Sequence, residues 1–113
     1  MPDRAPDETC ALTVPANTAL IYRLCADLNP LHADPKVAAD AGFKQPILHG
    51  LASFGVAAHA ILKTCCGLDP NRLGSIGLRF SSPVYPGETL LTDIWETELG
   101  IQFQVRIPER EIV

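Results

Sequence analysis

What this chain of 113 residues lacks removes several classes of protein. It has no run of Lys and Arg, and its formal net charge is −4, so the electrostatic footprint of a nucleic-acid binder is missing and nucleic acid is not an expected partner. No apolar run approaches the roughly 18 residues that a membrane span needs, so no membrane span is expected. The opening MPDRAPDETC carries charges where a secretory leader would carry its apolar region, so an intracellular chain is expected, with a cytoplasmic and bacterial setting as the working expectation. The cysteines Cys10, Cys25, Cys65 and Cys66 have neither C-x-x-C spacing nor the density of a disulfide scaffold, and they read as reduced, buried small hydrophobes. Aromatics are only 6% against an apolar fraction of 47%, so the core must be built from Ala, Leu, Ile and Val. There is no internal repeat.

What is present fits one small α+β domain. The length is near the low end for closing a core without help, which makes a partner subunit an expectation. Residues 1–17 contain prolines at positions 2, 6 and 15 and little periodicity, and they read as an extended, partly mobile lead-in to a single domain over 18–113. The run TALIYRL, from Thr18 to Leu24, suits a short strand or a short helix. Asp34 followed by Pro35 predicts a helix start that stops at Gly42. From Leu51 to Leu62 the chain is apolar on nearly every side, which predicts a helix buried all round and ending near Gly67. Beyond it, Ile76, Leu78 and Phe80 alternate as in a strand, SSPVYPGE forms a loop, and LLTDIWET and IQFQVRI read as a half-buried antiparallel pair. One long buried helix followed by a meander of strands implies an antiparallel β-sheet wrapped around that helix.

The proton-handling groups gather in DLNPLH, Asp27 to His32, on a bend that proline stiffens. A carboxylate and an imidazole five residues apart across the Asn29-Pro30 turn can hold and deprotonate one water. The same spacing also suits an Asx-turn in which Asp27 only caps the bend and His32 is an ordinary histidine. Asn29 reads as the lock of the turn, with a direct substrate contact as the other role. Gly50 opens the long helix, where free backbone amides favour negative charge; it either admits a substrate carbonyl to an oxyanion hole or merely relieves crowding. His49 and His59 each suit a packed, hydrogen-bonded histidine as well as a chemical role. No two of the histidines have the i, i+4 spacing of a helical zinc motif, so no metal is expected.

Taken together, YRLCADLNPLHADPKVAADAGFKQPILHG and the later RFSSPVYPGETL resemble the MaoC-like family of R-specific enoyl-CoA hydratases, or hydratase 2, which has the hot-dog fold. The resemblance runs from about Leu20 to Val113, and its blocks stand in the family's order and spacing. It implies hydration of a trans-2-enoyl thioester of CoA or acyl-carrier protein to the (3R)-3-hydroxyacyl product, or the reverse dehydration, with no cofactor. The implied catalytic residues are Asp27, His32, Asn29 and the Gly50 amide. Leu28, Pro30, Leu31, His49 and Phe80 would contact substrate, Phe80 being equally suited to plain core.

Three departures from the family pattern stand out. Cys25-Ala26 replaces the usual small residue followed by glycine. The chain ends shortly after PEREIV, where one more strand is expected. Many hydratase 2 proteins join two hot-dog halves and carry this motif in the second, so the resemblance implies a homodimer or pairing with another half. A non-catalytic acyl-thioester-binding domain and a hot-dog thioesterase remain the alternative functions, since one fold hosts several chemistries.

Overall fold

The computed structural model describes every residue of the chain except Ala26. Strand β1 (Glu8–Thr13) and short helices α1 (Thr18–Arg23) and α2 (Pro35–Asp40) come first, followed by the long helix α3 (Gly50–Cys65). Strands β2 (Thr89–Thr97) and β3 (Gly100–Arg106) close the order. The strands form one antiparallel sheet in the order β1-β2-β3. This is the expected α+β layout.

The ends of the helices follow from local chemistry. Asp34 accepts from the Lys36 amide at 2.8 Å, Pro35 sits where its missing N–H costs nothing, and Gly42 leaves the helix at φ +88°. Helix α3 ends as Leu68 N–H returns to the Leu62 carbonyl at 2.9 Å, with Gly67 at φ +60°. TALIYRL resolves as helix, its last turn packing Tyr22 against the core.

In β2, Leu90, Thr92 and Ile94 point to the helix side and are almost fully buried. Leu90 joins Val14, Ala19, Leu48, Ala52 and Ile107 in the central cluster, so α3 lies on the sheet through its small residues. The Pro83–Glu88 loop beside it is pinned by Arg110, which donates to the Glu88 carboxylate at 2.6 and 2.9 Å and to the Pro83 carbonyl at 2.5 Å. Glu88 in turn accepts from the Tyr85 amide at 2.8 Å. Leu48 N–H reaches the Val84 carbonyl at 2.7 Å, which ties the start of α3 to that loop.

Three expectations need correction. The segment read as a mobile lead-in contains β1, which pairs with β2 from Glu8↔Ile94 to Thr13↔Thr89; its alternation is too short and too polar to read as a strand without its partner. Helix α3 is not buried all round: Ala52, Ala57, Ala60 and Ile61 face the sheet, but Leu51 is 65% exposed and Gly55, His59 and Lys63 are exposed too. The sheet of this chain covers one side of α3. Finally, Ile76, Leu78 and Phe80 belong to no strand of the described residues, and residues 74–82 make no backbone–backbone hydrogen bond among them. The alternation is present, but no neighbouring strand lies alongside to form a ladder with it.

Candidate active site

The DLNPLH bend folds as two nested caps. Asp27 Oδ1 accepts from the Asn29 amide at 2.9 Å, and Asn29 Oδ1 accepts from the Leu31 amide at 3.0 Å. Asn29 therefore locks the turn, and Pro30 begins the single 3-10 turn that carries His32 inward. Asp27, Leu28, Asn29 and Pro30 stay exposed while His32 is only 9% exposed. The carboxylate thus meets solvent and the imidazole lies beneath it. Of the departures from the family pattern, Cys25 is exposed, and Ala26 lies outside the described residues.

The turn meets the start of α3. One ligand-capable atom each from Asp27, His32 and His49 lie within 4.8 Å of one another. His32 Nδ1 is 2.7 Å from the Ile47 carbonyl. A carbonyl oxygen only accepts, so Nδ1 carries a proton, which in the neutral imidazole places the lone pair on Nε2, the form a general base requires. His49 Nε2 is 3.0 Å from the Asp27 carbonyl and by the same argument donates to it. The imidazoles of His32 and His49 stack with centroids 3.7 Å apart and planes inclined by 24°, and Tyr22 tilts against His49 at 4.7 Å.

This stacking bears on metal binding, which the histidine spacing spoke against. A metal ion must lie in the plane of each imidazole about 2.0–2.1 Å from its nitrogen. Rings stacked at 3.7 Å hold their nitrogens in separate, nearly parallel planes, so the three groups are poorly arranged to share an ion. Acid–base work needs no such convergence.

Gly50 follows His49 as the first residue of α3, and its amide has no carbonyl one turn earlier to receive it. A Cβ at this position would lie 3.3 to 3.5 Å from the Phe80 ring, so the glycine relieves crowding as well as opening the helix. Phe80 is 54% exposed and not core. It also borders a groove of about 350 Å³ whose walls include Ala57, Val84, Leu90, Phe103 and Val105. A second hollow of about 320 Å³ reaches His32 between Leu20, Ala33, Gln45 and Pro46. Leu28 is 65% exposed and Leu31 partly buried, so both flank the turn from outside. His49, at 3% exposure, sits behind His32, and His59 lies on the exposed side of α3.

Two participants escaped the sequence: the Ile47 carbonyl and the Tyr22 ring. Neither residue type signals a site, and only the closeness of Ile47 to the His49-Gly50 pair hinted at one. At the far end of α3, burial, and then the neighbouring Cys66, push the Cys65 thiol above its ordinary value, away from reactivity.

An antiparallel sheet under one long helix, with a polar turn docked against the helix start, defines a hot-dog domain. The MaoC like domain family model matches residues 1–111, and the chain belongs to that family. It is 44% identical over 110 residues to "Enoyl-CoA hydratase 2, peroxisomal" of Arabidopsis thaliana, an alignment covering 97% of this chain and 36% of that protein. It is 50% identical over 100 residues to "3-hydroxyacyl-thioester dehydratase Y" of Mycobacterium tuberculosis, covering 88% and 34% respectively. The crystal structure of a MaoC-like dehydratase from Phytophthora capsici superposes with a TM-score of 0.95 at 47% identity, over 100% of this chain and 39% of that one. The chain thus spans roughly a third of the length of these curated relatives.

Proposed function

We propose that this domain adds water across the 2,3 double bond of a trans-2-enoyl thioester to give the (3R)-3-hydroxyacyl thioester, and catalyses the reverse dehydration. The observation that carries the reading is the approach of the Asp27 carboxylate and His32 to within 4.8 Å, with His32 Nδ1–H committed to Ile47 and Nε2 left as a base. In the forward direction the pair holds a water and takes one of its protons as the oxygen bonds to C3. The electron pair of the double bond moves toward the thioester oxygen, where the Gly50 amide stabilises the enolate-like charge. A proton returned to C2 completes the addition. Atoms balance without a redox partner, and neither cofactor nor metal enters the scheme.

Asn29 acts by fixing the turn. Leu28, Pro30, Leu31 and Phe80 contact the acyl thioester, whose carrier is CoA or acyl-carrier protein. The names of the relatives support the thioester class. The exposed side of α3 and the uncovered edge of β3 support pairing with a second copy or another hot-dog half, because an open edge offers unsatisfied backbone groups.

The test is loss of the enoyl-thioester absorbance of crotonyl-CoA in the presence of the chain, alone and with its pairing half. Asp27→Asn and His32→Ala, made separately, should each remove turnover while the circular dichroism stays native. Near wild-type hydration by either variant overturns the assignment.

A further inference from the structure

His49 carries more connections than a packed histidine needs. It is 3% exposed, its Nε2–H is spent on the Asp27 carbonyl at 3.0 Å, and its ring lies flat on His32 at 3.7 Å with Tyr22 at 4.7 Å on its own account. Its second nitrogen, Nδ1, is buried with no hydrogen-bond partner among the described residues. Buried acceptors are nearly always satisfied, and an orphan asks for a reason. A phenylalanine would stack without leaving a nitrogen unsatisfied, and a glutamine would donate without a ring. Histidine supplies a flat face and a donor from the same small side chain at this spot.

We propose that His49 is a positioning residue for the Asp27–His32 centre. One side of the clasp fixes the main chain that carries the carboxylate, and the other fixes the plane of the imidazole that receives the proton. The inference rests on the hydration reading, but its geometry does not. Because the Asp27 and Ile47 carbonyls accept, His49 carries a proton on Nε2 and His32 carries one on Nδ1. In their neutral forms the two stacked rings are therefore opposite tautomers. His49 touches no reacting atom in this scheme; it acts through the two groups that do.

Two substitutions divide the functions. His49→Phe keeps the face and discards the donor; His49→Gln keeps a donor and discards the face. In crotonyl-CoA hydration by the full chain, each should lower kcat about tenfold or more, with KM within about threefold of wild type, because misplacing a reacting group costs rate more than binding. Thermal melts must show both variants folded. A kcat within about twofold of wild type in both variants overturns the proposal. So does a rise in KM at constant kcat, which would make His49 a substrate contact.

Imidazole ¹⁵N shifts give a readout that needs no turnover. The expected pattern is Nε2–H for His49 and Nδ1–H for His32, and a proton on His49 Nδ1 overturns the clasp whatever the activity. If the pattern is as expected but the wild-type chain hydrates no enoyl thioester, the hydration reading fails and takes the catalytic role of His49 with it. The two failures are thus told apart.

Discussion

Asp93 and Arg106 meet diagonally across the hairpin: the direct partner of Asp93 is Gln104 and that of Arg106 is Leu91, yet the guanidinium reaches the carboxylate at 2.5 and 2.9 Å. Gln104 adds a contact at 3.2 Å and Thr9, from β1, one at 3.4 Å. A carboxylate whose side chain is only 3% exposed is thereby held by all three strands on the sheet face opposite α3.

The Arg106 guanidinium, followed by Gln104 and Thr9, holds the Asp93 carboxyl below its ordinary value, against the opposing effect of burial. A folded-state value below the unfolded one adds stability that is complete above about pH 4 and is lost as pH falls through the folded value. The melting temperature should therefore drop on acidification below about pH 4, and Asp93→Asn should flatten that part of the profile. At neutral pH the same substitution should cost about 1–2 kcal/mol, the lower range for a charge-assisted pair because Arg106 is 38% exposed to screening water. Melting curves from pH 3 to 7 check both; an unchanged acid limb in the variant refutes the assignment to Asp93.

Leu90 is 1% exposed at the centre of the cluster that joins β2 to α3. Leu90→Ala should destabilise the chain by about 2–5 kcal/mol, the lost transfer energy plus that of an incompletely collapsed cavity. Urea denaturation with an unchanged m-value is the appropriate measurement.

Gly50 and Phe80 should be energetically coupled. Gly50→Ala forces the Phe80 ring to give way, whereas in a Phe80→Ala background the added methyl meets no ring. A double-mutant cycle on stability should return at least about 0.5 kcal/mol of coupling, and strict additivity would show that the ring moves aside without cost.

Removing the Glu88 carboxylate by Glu88→Ala deprives the Tyr85 amide of its acceptor and Arg110 of its partner. Amide exchange should speed up at Tyr85 while the amides of β2 stay protected, since the change opens the loop before the sheet. Equal protection of Tyr85 in both proteins would show that the loop is held by its other contacts.

Residues 74–82, without backbone partners, should exchange their amides far faster than β2. Slow exchange of Ile76, Leu78 and Phe80 in solution would indicate that a strand covers them there.

The parts that the sequence made legible depend on neighbours in the chain. Asp34 with Pro35, Gly42 and the span of α3 all rest on signals within a few residues, and each lies where those signals put it. The Asx-turn and the approach of Asp27 to His32 look like rivals in the sequence, yet the structure holds both: the Asp27 side chain caps Asn29 and still lies within 4.8 Å of the histidines. Longer-range facts stayed hidden. Polar β1 needs β2 to be a strand, the alternation at 76–80 looks the same with or without a ladder, and the burial of α3 depends on how many strands reach it. The His32–His49 stack joins residues 17 apart through ring planes, which spacing does not encode.

The clasp between His49 and the Asp27 carbonyl has a mechanical consequence, because the peptide bond after His49 leads directly into Gly50. A pull on the first amide of α3 is passed through a single residue to the loop bearing the carboxylate, with no flexible stretch between to absorb it. Helix start and bend are therefore tied to each other through one side chain.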